Sequence, residues 1–311
     1  MQQQESITWP RLLCLIAALG CHFFLPQAAR AGATEWVDIQ ISDGRLLVET
    51  EIGGQSGYAM IDTGAGLNAI NGDFLRAAGL EFEKGRSIQI SGVFATERRP
   101  TYKRVPVNIF GNTIDFEKIV ELDFGSSDIQ MILGASFLRN FIFQFDYPNK
   151  RMRLITRDSL DMKQIKNVES KKNGRGGSPL VKVRLTDKVD AWLMMDTGAP
   201  GGLLIDRDLA NQLDWLDTYA VEKVKIGGVN AVGDAETFTI PSIGFGPLEI
   251  VDVRVSVPAQ GESAVLFEKH APLGTRIARG SESKGLLGYD ILQHFVVTVD
   301  YKSGYVHIHA E

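Results

Sequence analysis

The chain has 311 residues, 44% of them hydrophobic and 23% charged, with a formal net charge of −5. That balance describes a globular protein with a real buried core, and it excludes both a disordered chain and the basic surface that nucleic acid requires. The length allows two modest domains or one large one.

The first 31 residues do not read as fold. A positive charge at Arg11, an apolar run from Leu12 to Leu25 and the small-x-small end Ala29-Arg30-Ala31 predict a cleaved secretory signal peptide. The run is short for a membrane span, so no span is expected after cleavage; an uncleaved anchor is the alternative. Cys14 and Cys21 leave with this segment, together with Glu5, Arg11 and Arg30. The mature chain then carries a net charge of −6 and has no disulfide, thiol nucleophile or cysteine metal site. A periplasmic location is expected.

From residue 45 onward the elements come in two matching series. "RLLVETEIGGQSGYAMI" (45–61) gives an alternating strand, a turn and an apolar strand that ends at Asp62. A short helix is predicted in "GDFLRAAGL" (72–80), then a strand entering a glycine turn in "IQISGVFA" (88–95). "MILGASFLRNF" (131–141) follows, and "FQFDYPNKRMRLI" (143–155) closes the series as a hairpin around Asp146-Tyr147. The polar, glycine-bearing stretch 158–178 reads as an exposed linker. Beyond it the series repeats in order: "SPLVKVRLTDKVDAWLMM" (178–195) before Asp196, "DRDLANQLDW" (206–215), "VKIGGVNA" (224–231), "GLLGYDILQHF" (285–295) and "VTVDYKSGYVHI" (297–308).

Spacing supports a duplication rather than coincidence. Gly134 to Asp146 and Gly288 to Asp300 are both 12 residues. Asp62 to Gly134 is 72 residues against 92 from Asp196 to Gly288, a difference that one insertion within 258–285 accounts for. The predicted architecture is therefore all-β with little helix: two pseudo-equivalent barrels or sandwiches, an N-terminal lobe over 32–157 and a C-terminal lobe over 179–311.

The repeated turns are "DTGA", Asp62 to Ala65 and Asp196 to Ala199. A lone aspartate at a strand end most often caps its own turn. Two copies on homologous lobes read differently, because a pseudo-twofold axis would bring the carboxylates face to face. Two such groups a few ångströms apart share one proton and titrate as a unit. The ionised member can take a proton from an attacking water while the protonated member stabilises the oxyanion. Which aspartate is the base stays open at this level.

These turns, with the later "ILG" (Ile132 to Gly134) and "LLG" (Leu286 to Gly288), resemble the aspartic proteases of the retropepsin and pepsin type, once per lobe. The resemblance implies two pseudo-twofold acid-protease-like barrels in one chain, acting as a monomer on a peptide or protein substrate without metal or cofactor. It implies catalysis by Asp62 and Asp196. Thr63 and Thr197 would lock the turns across the lobes, Gly64 and Gly198 would position the carboxylates, and Gly134 and Gly288 would thread beside the site. Flap or substrate contacts would fall at Ser91, Gly92, Tyr102, Gly227 or Gly228. A catalytically idle fold that binds peptides in the periplasm is the rival reading, against which both turns stand intact.

No other chemistry competes. His307 and His309 share a strand face without a third ligand, and His270 and His294 are isolated. Ala65 and Ala199 stand where some members of that family carry a hydroxyl that stabilises the ionised carboxylate, so the upper apparent pKa of the pair should sit higher. Peptidase kcat/KM should therefore extend into mildly acidic or neutral pH. A profile that peaks only below about pH 3 would contradict this.

Overall fold

The computed structural model describes residues 32–92, 96–123, 125, 128–173, 178–227, 232–262 and 283–310. The expected signal peptide, Gly228 and most of the 258–285 insertion lie outside these residues. Each half winds into a closed six-stranded barrel. In the first, Arg45–Ile52 pairs with Gln55–Ile61, followed in spatial order by Ile129–Leu133, Ala69–Asn71, Asn112–Leu122 and Thr101–Ile109. The last strand returns to the first through Thr50↔Ile109 and Glu51↔Asn108. The second barrel repeats that order with Pro179–Thr186, Val189–Met195, Gly285–Leu287, Leu203–Ile205, Leu248–Pro258 and Val232–Phe245, closed through Val183↔Phe245.

Alternation explains why these segments become barrel strands. Leu46 and Val48 face the main core, as do Val181 and Val183, and all four are fully buried. Leu47 and Met60 point to the opposite face and join a smaller apolar cluster with Ala69 and Ile132. Leu180, Met194 and Leu286 form the matching cluster in the second barrel. Strands beside the repeated turn are thus apolar on both faces. Helix is confined to short pieces, such as Gly72–Ala78, whose first turn is capped by the Asn71 side chain and whose end is Gly79 at φ 63°.

The two closing hairpins do not stay in their own lobes. Ile142–Asp146 lies antiparallel to Val296–Asp300, in a register that pairs Ile142 with Asp300 and Asp146 with Val296. With Val37–Asp38, Arg151–Ile155 and Tyr305–His309 they make one five-stranded sheet shared by both halves. The residues Ala31–Glu311 accordingly form a single compact unit.

Most described residues of the 158–178 segment are exposed, as its composition suggests, but the segment is pinned at a few points. Met162 begins a short helix, Met162–Ile165, and is 3% exposed; Val168 is 2% exposed and bridges Val306. Ser170–Lys172 then pairs with Pro179–Val181 as an edge strand of the second sheet. Its lysines belong to one exposed face of an otherwise anchored segment, which a composition average cannot separate from a loop.

Arg157 ties the halves together. Its guanidinium donates to the Asp300 carboxylate at 2.9 Å and to the carbonyls of Arg139, Asn140 and Phe141, capping the helix Ala135–Leu138. Asp300 is nearly buried, so removing its partner leaves that charge poorly paired and takes a donor from the part-buried Phe141 carbonyl. Arg157→Ala should lower the unfolding free energy by about 2 kcal/mol. In urea titrations this appears as a lower midpoint with an unchanged slope; an unmoved midpoint would refute the assignment.

Candidate active site

Each repeated turn is fixed first by its own barrel. The strand ending at Ile61 runs parallel to Ile129–Leu133, with Met60 beside Ile132 and Ile61 beside Leu133. The Asp62 amide continues that ladder by donating to the Leu133 carbonyl at 3.0 Å. Met194 and Met195 lie likewise beside Leu286 and Leu287, and the Asp196 amide donates to Leu287 at 2.9 Å. The glycine that ends each apolar pair is needed for close approach. A Cβ at Gly134 would collide with the carbonyls of Leu67 and Ala65, and one at Gly288 would stand 2.5 Å from those of Ala199 and Gly201.

The turns are then locked to each other. Thr63 Oγ1 donates to the Met195 carbonyl at 2.8 Å and accepts from the Thr197 amide at 2.9 Å. Thr197 Oγ1 donates to the Ile61 carbonyl at 2.7 Å and accepts from the Thr63 amide at 3.0 Å. These four bonds form a closed, twofold-like set, with both threonines at most 1% exposed. Every polar atom in the set is paired, which makes its burial favourable.

Behind the lock the two carboxyl groups face one another, each against the glycine of the opposite turn, and each lies in the other's field. The small turn residues permit this. An ideal Cβ on Gly64 would fall 2.5 Å from the Asp196 carboxyl, and one on Gly198 would fall 2.6 Å from that of Asp62. Both aspartates are half-buried at the surface but densely surrounded, so each remains open to water while most of its solvation is lost.

The surroundings of the pair are not symmetric. Asp62 Oδ1 accepts from the amides of Gly64 at 2.7 Å and Ala65 at 2.8 Å, whereas Asp196 Oδ1 accepts from Gly198 at 2.9 Å. Desolvation pushes the Asp196 carboxyl well above the usual carboxylate range, and the neighbouring Asp62 charge pushes it further. Desolvation also raises Asp62, opposed there by the Ala65 and Gly64 amides, the Asp196 hydrogen bond and the Arg45 charge. Both carboxyls are thus raised, Asp196 the more strongly, and the pair titrates as one coupled unit.

The remaining candidates separate. Ser91 ends the strand Ile88–Ser91, and Gly92 follows it, in a two-stranded hairpin with Thr96–Arg99. Ile88 and Ile90 of that hairpin pack on the same apolar cluster as Ala65. Gly227 ends the strand Glu222–Gly227 opposite Val232. Tyr102 is not a flap residue. It is 7% exposed in the first core, edge-on to Phe82, and its hydroxyl donates to Glu121 at 2.6 Å. Desolvation and the Glu121 carboxylate push its phenol up to about 12. Its burial breaks the alternation of Thr101–Ile109, where Arg104, Pro106 and Asn108 of the same parity are exposed, a departure that sequence distance from Asp62 does not reveal.

Three positions escaped sequence reasoning. The Gly134 amide donates to the Asn68 side chain at 3.0 Å. Tyr301, 5% exposed, donates its hydroxyl to the Thr63 carbonyl at 2.6 Å. Its repeat partner Tyr147 is 3% exposed within the field of Asp196. A signal for the tyrosines existed, since each directly follows the aspartate that closes the 12-residue interval.

A family model described as aspartyl protease matches residues 48–137 and 181–291, one stretch in each half and well over half of the chain. The protein belongs to this aspartyl protease family. A comparison with curated proteins finds no match. Among the described residues, no helix is long and apolar enough to cross a membrane.

The raised carboxyls carry a stability consequence whose sign is fixed. A carboxyl whose folded pKa is raised contributes most below its unfolded pKa, and that contribution is lost as pH rises through the folded value. Asp196→Asn, which mimics the protonated group, should raise the urea midpoint above wild type at pH 7. The gap should close as pH falls below about 4, where the unfolded carboxyl is also protonated. A midpoint at pH 7 equal to or below that of wild type would contradict the buried, proton-bearing assignment.

Proposed function

We propose that the protein is an aspartic endopeptidase that hydrolyses peptide bonds with a water held between Asp62 and Asp196. The observation that carries this reading is the pair of carboxyls, each packed against the glycine of the opposite turn behind a fully paired threonine lock. Ionised Asp62 takes a proton from the water as its oxygen attacks the scissile carbonyl carbon. Asp196 gives its proton to the carbonyl oxygen, so charge does not accumulate there. The resulting gem-diol then returns a proton to Asp196 while Asp62 passes its own to the departing nitrogen. The C–N bond breaks into a carboxylic acid and an amine, and the enzyme regains its starting protonation.

The substrate is a peptide or protein segment with apolar side chains on both sides of the scissile bond. Support comes from the apolar clusters against Ala65 in one lobe and against Ala199 in the other. The hairpin through Ser91 and Gly92 acts as the flap on the first side, and the strand end at Gly227 marks its counterpart on the second. One chain furnishes both carboxyls, so the unit acts as a monomer. The N-terminal sequence supports export and periplasmic action.

The test is a peptide-library digest from pH 3 to 8 with wild type and Asp62→Asn, each with and without pepstatin. Wild type should cleave, pepstatin should block it, and the variant should lose more than about a thousandfold in rate. Pure wild-type protein that cleaves nothing over this range would overturn the peptidase reading in favour of a peptide-binding module.

A further inference from the structure

The repeat places a tyrosine behind each catalytic turn, from the opposite lobe, yet the two tyrosines are used differently. Tyr301, in the second lobe, donates its hydroxyl to the Thr63 carbonyl of the first at 2.6 Å, with Ser178 Oγ at 3.4 Å. The Thr63 carbonyl and the Gly64 amide belong to one peptide group. That same Gly64 amide donates to Asp62 Oδ1 at 2.7 Å. The atoms form a continuous chain: Tyr301 O–H to Thr63 C=O, across the peptide, then Gly64 N–H to the Asp62 carboxylate.

Tyr147 has no such chain. Its hydroxyl is buried and finds no hydrogen-bond partner among the described residues. Its ring lies 6.0 Å from that of Tyr289, the residue after Gly288. In the other half, the residue after Gly134 is Ala135, so no second ring stands at that place. The Gly198 amide reaches Asp196 at 2.9 Å, longer than either amide contact on Asp62.

We propose that Tyr301 is a positioning residue that polarises the Thr63–Gly64 peptide and so selects Asp62 as the ionised member of the pair, while the unpaired Tyr147 leaves Asp196 to keep the proton. Hydrogen bonds in a chain strengthen one another, by roughly 10–30% per bond. The Gly64 amide also acts on Asp196, but its close contact is with Asp62 at 2.7 Å, so a stronger donor stabilises the charged form of Asp62 the more. Burial raises the Tyr301 phenol, so it stays a donor throughout the pH range of the enzyme.

The other charged or titratable side chains in the field of this group are few. They are Arg45 at the start of Arg45–Ile52, Arg139 after the helix Ala135–Leu138, Tyr147 after Ile142–Asp146, and Tyr289 in the helix Tyr289–Leu292. The arginines are fixed charges, and neither tyrosine offers Asp62 a donor through the peptide. The role of Tyr301 is therefore distinct from theirs.

This inference rests on the two-carboxyl reading of the site, but its primary test does not need turnover. Full-length protein with ¹³Cγ-labelled aspartate is titrated by NMR, with Asp62 and Asp196 signals assigned from their Asn variants. Tyr301→Phe should move the Asp62 midpoint up by roughly 0.5 pH unit, and Tyr147→Phe should leave it in place. Incorporating 3-fluorotyrosine at 301 strengthens the donor without deleting it, so it should move the midpoint down; it also serves if the Phe variant does not fold. An unmoved midpoint in Tyr301 variants, or an equal shift from Tyr147→Phe, overturns the proposal. Where wild type cleaves peptides, the acid limb of kcat/KM should follow the same shifts with KM little changed. Midpoints that shift in a protein without cleavage would uphold this inference while removing the peptidase reading.

Discussion

Four hydrogen bonds between Thr63, Thr197 and the carbonyls of Ile61 and Met195 hold the two halves of the protein in one relation. They carry more than stability. Without them the two aspartates would be ordinary strand-end acids, each solvated and each ionised at neutral pH. With them, two carboxyls are held in contact, short of water and unable to ionise together at low cost. The barrels, the parallel apolar strands and the shared sheet all act to keep those threonines in register. Asp300 and Arg157, at the edge of the shared sheet, extend the same constraint to the ends of the helix and hairpin that flank it.

Duplication supplies two equal turns, whereas acid–base chemistry needs unequal ones. The inequality here is local. Asp62 accepts close amides from Gly64 and Ala65, whereas Asp196 accepts from Gly198 and feels the Gly64 amide only weakly, and desolvation raises Asp196 the more. The difference between Ala135 and Tyr289, one residue past each threaded glycine, goes with the different behaviour of Tyr301 and Tyr147. Small departures from an exact repeat thus bias a pair that the repeat alone would leave degenerate.

Much of this was legible in the sequence because it is local or repeated. The Asp-Thr-Gly turns, the apolar-apolar-Gly strands and the equal closing intervals specified two lobes, their order and the residues at the axis. The threonine lock followed from family resemblance and appears as expected. What the sequence hid depends on direction or on distance along the chain. Tyr102 is buried against the alternation of its own strand, in which Arg104, Pro106 and Asn108 are exposed. Val168 and Met162 are anchored within a segment whose average is polar. The bond from Tyr301 to Thr63 joins residues 238 positions apart, and no periodicity announces it.

The central claim is that Asp62 and Asp196 act as one site on one reacting centre. A crystal structure of the complex with pepstatin examines it directly, since the inhibitor carries a hydroxyl where the attacking water would stand. The account predicts that hydroxyl between the two aspartates, within hydrogen-bonding distance of both, with the inhibitor backbone running between the Ser91–Gly92 hairpin and the catalytic turns. A hydroxyl that touches one carboxyl alone, or an inhibitor seated away from the pair, would contradict it.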